Sequence, residues 1–141
     1  MMAEPVAKVL IINDLTTQRE NLYRCIEKIC APFAPHSPEE LENYLIELEN
    51  DDRAYTVVIL DIILENWNMP EDLPDGKAIV KRLRPSPQTL RPFIIILTNY
   101  RNREIMQLRK QYHNVEVADY NPTGCDLLRD ELILLFQRDR R

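Results

Sequence analysis

The chain has 141 residues, a formal net charge of −5 and 45% hydrophobic residues, which suits one domain of ordinary size with an apolar core of its own. The acidic balance argues against a protein that coats nucleic acid, and no apolar run approaches the roughly 20 residues that a membrane span needs. No signal-peptide core follows Met1, so the sequence predicts a soluble, cytoplasmic protein with neither nucleic acid nor membrane as a partner.

Lys8-Val-Leu-Ile-Ile-Asn-Asp14 is a continuous aliphatic run closed by polar residues, the pattern of a parallel strand covered on both faces. Leu22, Ile26 and Ile29 follow at helical spacing, and a short second strand falls within 31–35, where Pro32 and Pro35 mark an edge. Ser37-Pro38-Glu39-Glu40 supplies a capping hydroxyl, a proline for the first helical position and a Glu for a capping box. The helix it opens places Leu41, Tyr44, Leu45 and Leu48 on one face. Tyr55-Thr-Val-Val-Ile-Leu-Asp61 repeats the build of the first strand and ends abruptly on an acid.

The segment 62–75 then carries Trp67, Pro70, Pro74 and four acids where a strand-to-helix loop usually takes about 2–6 residues. Phe93-Ile-Ile-Ile-Leu97 closes on Thr98 and leads to a helix with Ile105, Leu108 and Tyr112 on one face. Val115 to Ala118 is a weak last strand, and Thr123 is placed to cap a final helix carrying Leu128, Leu132, Leu135 and Phe136. Strand and helix thus alternate five times, which predicts a doubly wound, five-stranded parallel sheet in a three-layer α/β/α domain. That domain spans 1–141, with a core over about 8–136 and an extended loop at 62–75.

Several chemistries are excluded. Cys25, Cys30 and Cys125 form no Cys-x-x-Cys pair, and His36 and His113 are isolated, so buried thiols are expected rather than a zinc cluster or a disulfide framework. Gly76 and Gly124 are the only glycines, which rules out a glycine-rich phosphate loop. Ser37 and Ser86 are the only serines and neither sits in a Gly-x-Ser-x-Gly turn.

What remains is at the strand ends. In an open parallel sheet functional groups gather at the carboxyl edge, where the strand order reverses, and this puts Asp14, Asp61 and Thr98 in one place. Two close carboxylates repel unless protonated or bridged by a cation, and that donor set suits Mg2+. Each residue alone is as well explained as a strand terminator or helix cap; three at three successive strand ends are not. The segment 64–74 is expected to cover them as a lid, with Trp67 and Met69 turned inward and Glu65, Glu71 and Asp72 outward.

These residues resemble the receiver domain of two-component response regulators, whose marks are an acidic pair after the first strand, a phosphoacceptor aspartate after the third, an Asp-Gly opening the third helix and a Thr or Ser after the fourth strand. Here they look like Asn13-Asp14, Asp61, Asp75-Gly76 and Thr98. The resemblance implies a signalling domain rather than an enzyme, one that takes a phosphoryl group onto Asp61 from a histidine kinase, a phosphotransfer protein or a small acyl phosphate. It further implies Mg2+ held by Asp14, Asp61, the backbone carbonyl of Ile63 and Asn13 through a water.

Three departures make the domain atypical. Asn13 stands for the first acid, so metal affinity should fall. Asn121 stands where the family has a lysine before a proline, removing a charge-assisted bond to a phosphoryl oxygen of about 1.5–3 kcal/mol. The stretch between Asp61 and Gly76 is about twice the family's usual length. Tyr120 corresponds to the family's switch aromatic, or else packs under the last helix. With no output domain after the last helix, the reading is a stand-alone receiver in a phosphorelay that signals through a protein partner.

That partner would dock on the face of the last two helices, where Arg101, Arg103, Arg109 and Lys110 cluster. The alternative is a pseudo-receiver that works as a phosphorylation-independent adaptor. A haloacid-dehalogenase type of phosphatase would need a second acid two positions after Asp61, and Ile63 stands there.

Overall fold

In the computed structural model, which describes residues 6–99, 102–120 and 124–140, the aliphatic runs become strands and the segments between them helices. The order is β1 (Lys8–Ile12), α1 (Thr16–Ile26), β2 (Ala31–Phe33), α2 (Pro38–Asn50), β3 (Val57–Leu60), α3 (Gly76–Leu83), β4 (Phe93–Leu97), α4 (Arg103–Gln111), β5 (Val115–Ala118) and α5 (Asp126–Asp139). All strands pair in parallel in the spatial order β2-β1-β3-β4-β5. This is the doubly wound, flavodoxin-like fold that the alternation predicts. Among the described residues no helix is long and apolar enough to cross a membrane.

The strand pleat sorts the aliphatic residues into two layers. Leu10, Ile12, Val58, Leu60, Ile94 and Ile96 face Leu41, Leu45, Ile79, Val80, Ile105 and Leu108 of α2, α3 and α4. Val9, Ile11, Val57, Ile59, Ile95 and Leu97 face Leu22 and Ile26 of α1 and Leu132 and Leu135 of α5. Beyond the exposed Lys8, both faces of β1, β3 and β4 are therefore dry, which is why these runs carry no polar alternate; at roughly 1.5–3 kcal/mol for each large side chain buried, they dominate the stability. β2, with Pro32, is the edge strand on one side.

Among the described residues, three helix starts are capped by side chains. Ser37 Oγ accepts from the Glu40 N–H at 3.2 Å, Asp75 Oδ1 from Ala78 at 3.0 Å and Asn102 Oδ1 from Ile105 at 2.9 Å, each satisfying an amide that the first turn leaves unpaired. Thr123, expected to cap α5, lies outside the described residues, and Cys125 before the helix gives no side-chain cap. At the other end of the sheet the buried Arg84 donates to the carbonyls of His113 at 3.1 Å, Leu83 at 3.2 Å and Asn114 at 3.3 Å. It thereby ties the end of α3 to the start of β5, and burial pulls its pKa down to about 10.

The cysteines correct the expectation of three buried thiols. Cys25, in the last turn of α1, and Cys125, just before α5, are joined by a disulfide with their Cα atoms 5.6 Å apart. Only Cys30 is a free, buried thiol, and burial pushes its pKa up to about 12. The bonded pair is separated by 100 residues, so no spacing pattern announces it; it forms because α1 and α5 cover the same face of the sheet.

Gly76 shows how the fold sets the site loop. Its N–H donates to the Ile62 carbonyl at 2.8 Å, and a Cβ there would strike the Asp61 carbonyl oxygen and come within 2.7 Å of Ile62 Cα. Both obstacles are backbone, so Gly76→Ala must displace either the third strand's end or α3. The expected loss is about 2–4 kcal/mol in urea unfolding; a loss below 0.5 kcal/mol would show that the loop yields freely.

Candidate functional site

The strand register assembles the site. Ile12 pairs with Leu60 and Leu60 with Ile96, so β1, β3 and β4 end at one level and Asp14, Asp61 and Thr98 emerge together. Two amides fix the ends: Asp61 N–H donates to the Ile12 carbonyl and Thr98 N–H to the Ala118 carbonyl, both at 2.9 Å. Asp14, Gln18, Asp61, Glu65, Asn66, Thr98 and Tyr120 are among the residues lining a cleft of about 270 Å³. Asn13, Asp14 and Thr98 are buried and Asp61 is half-buried.

Asn13 is bound into the start of α1. Its Oδ1 accepts from Leu15 N–H at 2.9 Å, its Nδ2 donates to Gln18 Oε1 at 3.1 Å, and its carbonyl accepts from the buried Arg19 at 3.0 Å. An aspartate there could accept from Gln18 but could not donate to it. Asp14 is held from the other side, because its Oδ2 accepts from the Asn66 N–H at 2.6 Å, a bond from the 62–75 loop across the cleft.

Asp61 accepts from the Ile63 N–H at 3.3 Å. Burial raises its pKa, and repulsion from Asp14 and Glu65 adds to this against the backbone bonds from Ile63 and Ile62; the balance is about 6. The described lining residues include Asp14, Asp61 and Glu65 but no lysine or arginine. Among the described lining residues the cleft thus concentrates negative charge with no cationic side chain against it. Among the described residues no three His, Cys, Asp or Glu side chains converge on a ready metal cluster. The donor set nonetheless fits a hard divalent cation that keeps most of its water: one carboxylate each from Asp14 and Asp61, with Ile63 on the same cleft.

The expected lid residues sit differently from the other site residues. Trp67 and Met69 are partly buried against the core layer of α2, α3 and α4, beside the buried Leu64 and Leu73, and they anchor the loop rather than line the cleft. Its contact with the site is made by Glu65 and Asn66. Of these, the Asn66 contact is made through a backbone amide, which no residue pattern marks. Tyr120 lines the cleft and its hydroxyl accepts from Asn21 of α1 at 3.4 Å, whereas Asn121 lies outside the described residues.

No protein-family model matches the chain, and no curated protein sequence matches it at a significant level. Solved structures do match, and they share its fold over nearly the whole length. A receiver domain of a response regulator from Rhodospirillum rubrum superposes with a TM-score of 0.66 at 23% identity, covering 93% of this chain and 94% of its own. The receiver domain of a Francisella response regulator gives 0.68 at 23% identity, with 94% and 98% covered. A two-component response regulator from Clostridium difficile gives 0.69 at 18% identity, with 96% and 99% covered. The chain therefore has the fold of response-regulator receiver domains, which agrees with the resemblance read from its strand ends.

The raised pKa of Asp61 has a signed consequence for stability. Where the unfolded carboxyl ionises near 3.8 and the folded one near 6, folding takes up a proton, so the contribution of Asp61 to stability is highest below pH 4 and is lost as pH rises through 6. Asp61→Asn removes that fall. In metal-free buffer it should stabilise the protein by about 1–3 kcal/mol at pH 7.5, the upper figure being the full linkage value and the lower one allowing for water at the carboxyl. The gain should vanish below pH 4; a pH-independent effect would mean that Asp61 titrates normally.

Proposed function

We propose that this domain is an atypical receiver that accepts a phosphoryl group on Asp61 and signals through a protein partner. The observation that carries the reading is the position of Asp61. It follows an interior strand at the point where the strand order reverses, beside Asp14 and Thr98, in a fold shared with receiver domains. A carboxylate oxygen of Asp61 attacks phosphorus, the bond from phosphorus to the donor's leaving atom breaks, and the leaving group departs with the electron pair. With a pKa of about 6, Asp61 is largely ionised and nucleophilic at neutral pH.

Mg2+, held by Asp14 and Asp61 with the Ile63 carbonyl and Asn13 through a water, would offset the charge of the acids and the incoming phosphoryl oxygens. Thr98, at the neighbouring strand end, supplies a hydroxyl for a phosphoryl oxygen, and Tyr120 on the cleft wall is the candidate reporter of occupancy. Histidine kinases and phosphotransfer proteins are the donor classes that the resemblance to receiver domains implies. For the output partner, α4 offers the exposed Arg103 and Lys110, while Arg109 pairs with Glu116 at 3.2 Å and Arg101 lies outside the described residues.

One observation favours the second reading, a phosphorylation-independent adaptor. Asp14 is already engaged by the Asn66 amide and Asn13 by Leu15 and Gln18, so the site satisfies part of its own polar demand. In the receiver reading this loop is a cover that must release Asp14 before the site is fully active.

Acetyl phosphate with Mg2+ should add one phosphoryl group by intact mass, and Asp61→Asn should abolish it. Replacing 64–74 by a short turn should raise the initial labelling rate several-fold. Undiminished labelling of Asp61→Asn would move the acceptor elsewhere, and absence of any labelling in the native and shortened proteins would favour the adaptor.

A further inference from the structure

The Cys25–Cys125 pair stands apart from the acidic cleft and is unexplained by it. Three observations make it a chemical site rather than packing. The Cα separation of 5.6 Å is in the range that a disulfide spans without moving the backbone. Cys125 is partly exposed while Cys25 is buried, and both border a cavity of about 510 Å³ shared with Tyr120, Leu127, Leu128 and Glu131, so a small reagent can reach the outer sulfur. The remaining cysteine, Cys30, is buried with its pKa up at about 12, which keeps it out of exchange.

We propose that Cys25 and Cys125 form a reversible thiol–disulfide site that clamps the start of α5 onto the end of α1, with low-molecular-weight disulfides such as glutathione disulfide as the oxidant class. The Cys125 thiolate attacks one sulfur of the small disulfide and expels a thiolate, leaving a mixed disulfide on Cys125. The Cys25 thiolate then attacks the Cys125 sulfur and expels the second small thiolate. Two electrons pass from the cysteines to the small disulfide, and the two protons that the cysteines lose end on the two released thiols. Excess small thiol reverses both steps.

The physical consequence is mechanical. Cys125 gives α5 no side-chain cap, and the first turn of the helix exposes Leu127, so among the described residues the disulfide is the covalent tie on that end of the helix. Asn21 of the same α1 donates to Tyr120 on the cleft wall, which places the clamp one helix turn from the site. A cross-link that closes a 100-residue separation restricts the unfolded chain strongly, and the expected difference in Tm between the oxidised and reduced protein is on the order of 10 °C.

The test uses the whole chain without Mg2+ or phosphoryl donor, so its outcome does not depend on the chemistry of Asp61. Protein equilibrated in graded glutathione and glutathione-disulfide buffers is quenched with N-ethylmaleimide, unfolded and counted by mass. Three labelled thiols should give way to one, on Cys30, as the buffer becomes oxidising, with slower hydrogen exchange over residues 126–132 and the rise in Tm. Cys30→Ser should keep the whole response and Cys125→Ser should lose it. Three reactive thiols in every buffer, a glutathione adduct that persists on Cys125, or a disulfide that leaves exchange and Tm unchanged would each overturn the proposal.

Discussion

Everything at the candidate site depends on one constraint, the shared register of three buried parallel strands. Because Ile12, Leu60 and Ile96 lie side by side, the chain must turn polar at the same level three times, and the side chains that follow cannot avoid each other. The energy that enforces this is hydrophobic: strands with both faces dry cannot slip by one residue without exchanging their two core layers. The core therefore holds Asp14 and Asp61 in a proximity that their charges oppose.

That opposition is left standing. Burial and the neighbouring acids raise Asp61 to about 6, and the described lining of the cleft supplies no cationic side chain against them. The protein instead offers amides: Ile63 to Asp61 and Asn66 to Asp14. A backbone amide offsets a carboxylate only in part, so the cleft keeps a standing demand for positive charge. The Asn66 bond matters most, because it couples the charge of the site to the position of the 62–75 loop. Trp67, Met69, Leu64 and Leu73 anchor that loop to the core, leaving Glu65 and Asn66 at the cleft.

The sheet was legible because its physics is local. Runs such as Val57–Leu60 and Phe93–Leu97 state their burial in their composition, and Ser37, read as a cap, and Asp75, read as opening the third helix, each cap the third amide of the helix that follows. Asp14, Asp61 and Thr98 could be placed together because strand ends in a parallel sheet meet at one edge. Contacts made by backbone groups or across long separations left no such trace. The Asn66 amide, the carbonyls gathered by Arg84 and the pairing of Cys25 with Cys125 depend on where the chain goes, not on which residues it carries. Asn13, read from sequence as a weakened ligand, is in the folded protein also a donor to Gln18, a role that only the start of α1 reveals.

The central claim is that Asp61 is a phosphoryl acceptor whose neighbour Asp14 must leave the Asn66 amide to complete the site. A crystal structure with Mg2+ and beryllofluoride tests it most directly. The account predicts beryllofluoride on the Asp61 carboxylate within hydrogen-bonding distance of the Thr98 hydroxyl, with Asp14 turned to the cation and its 2.6 Å bond to Asn66 broken. An empty Asp61 with the Asp14–Asn66 bond intact, at concentrations of both ions that saturate weak oxygen-ligand sites, would contradict it.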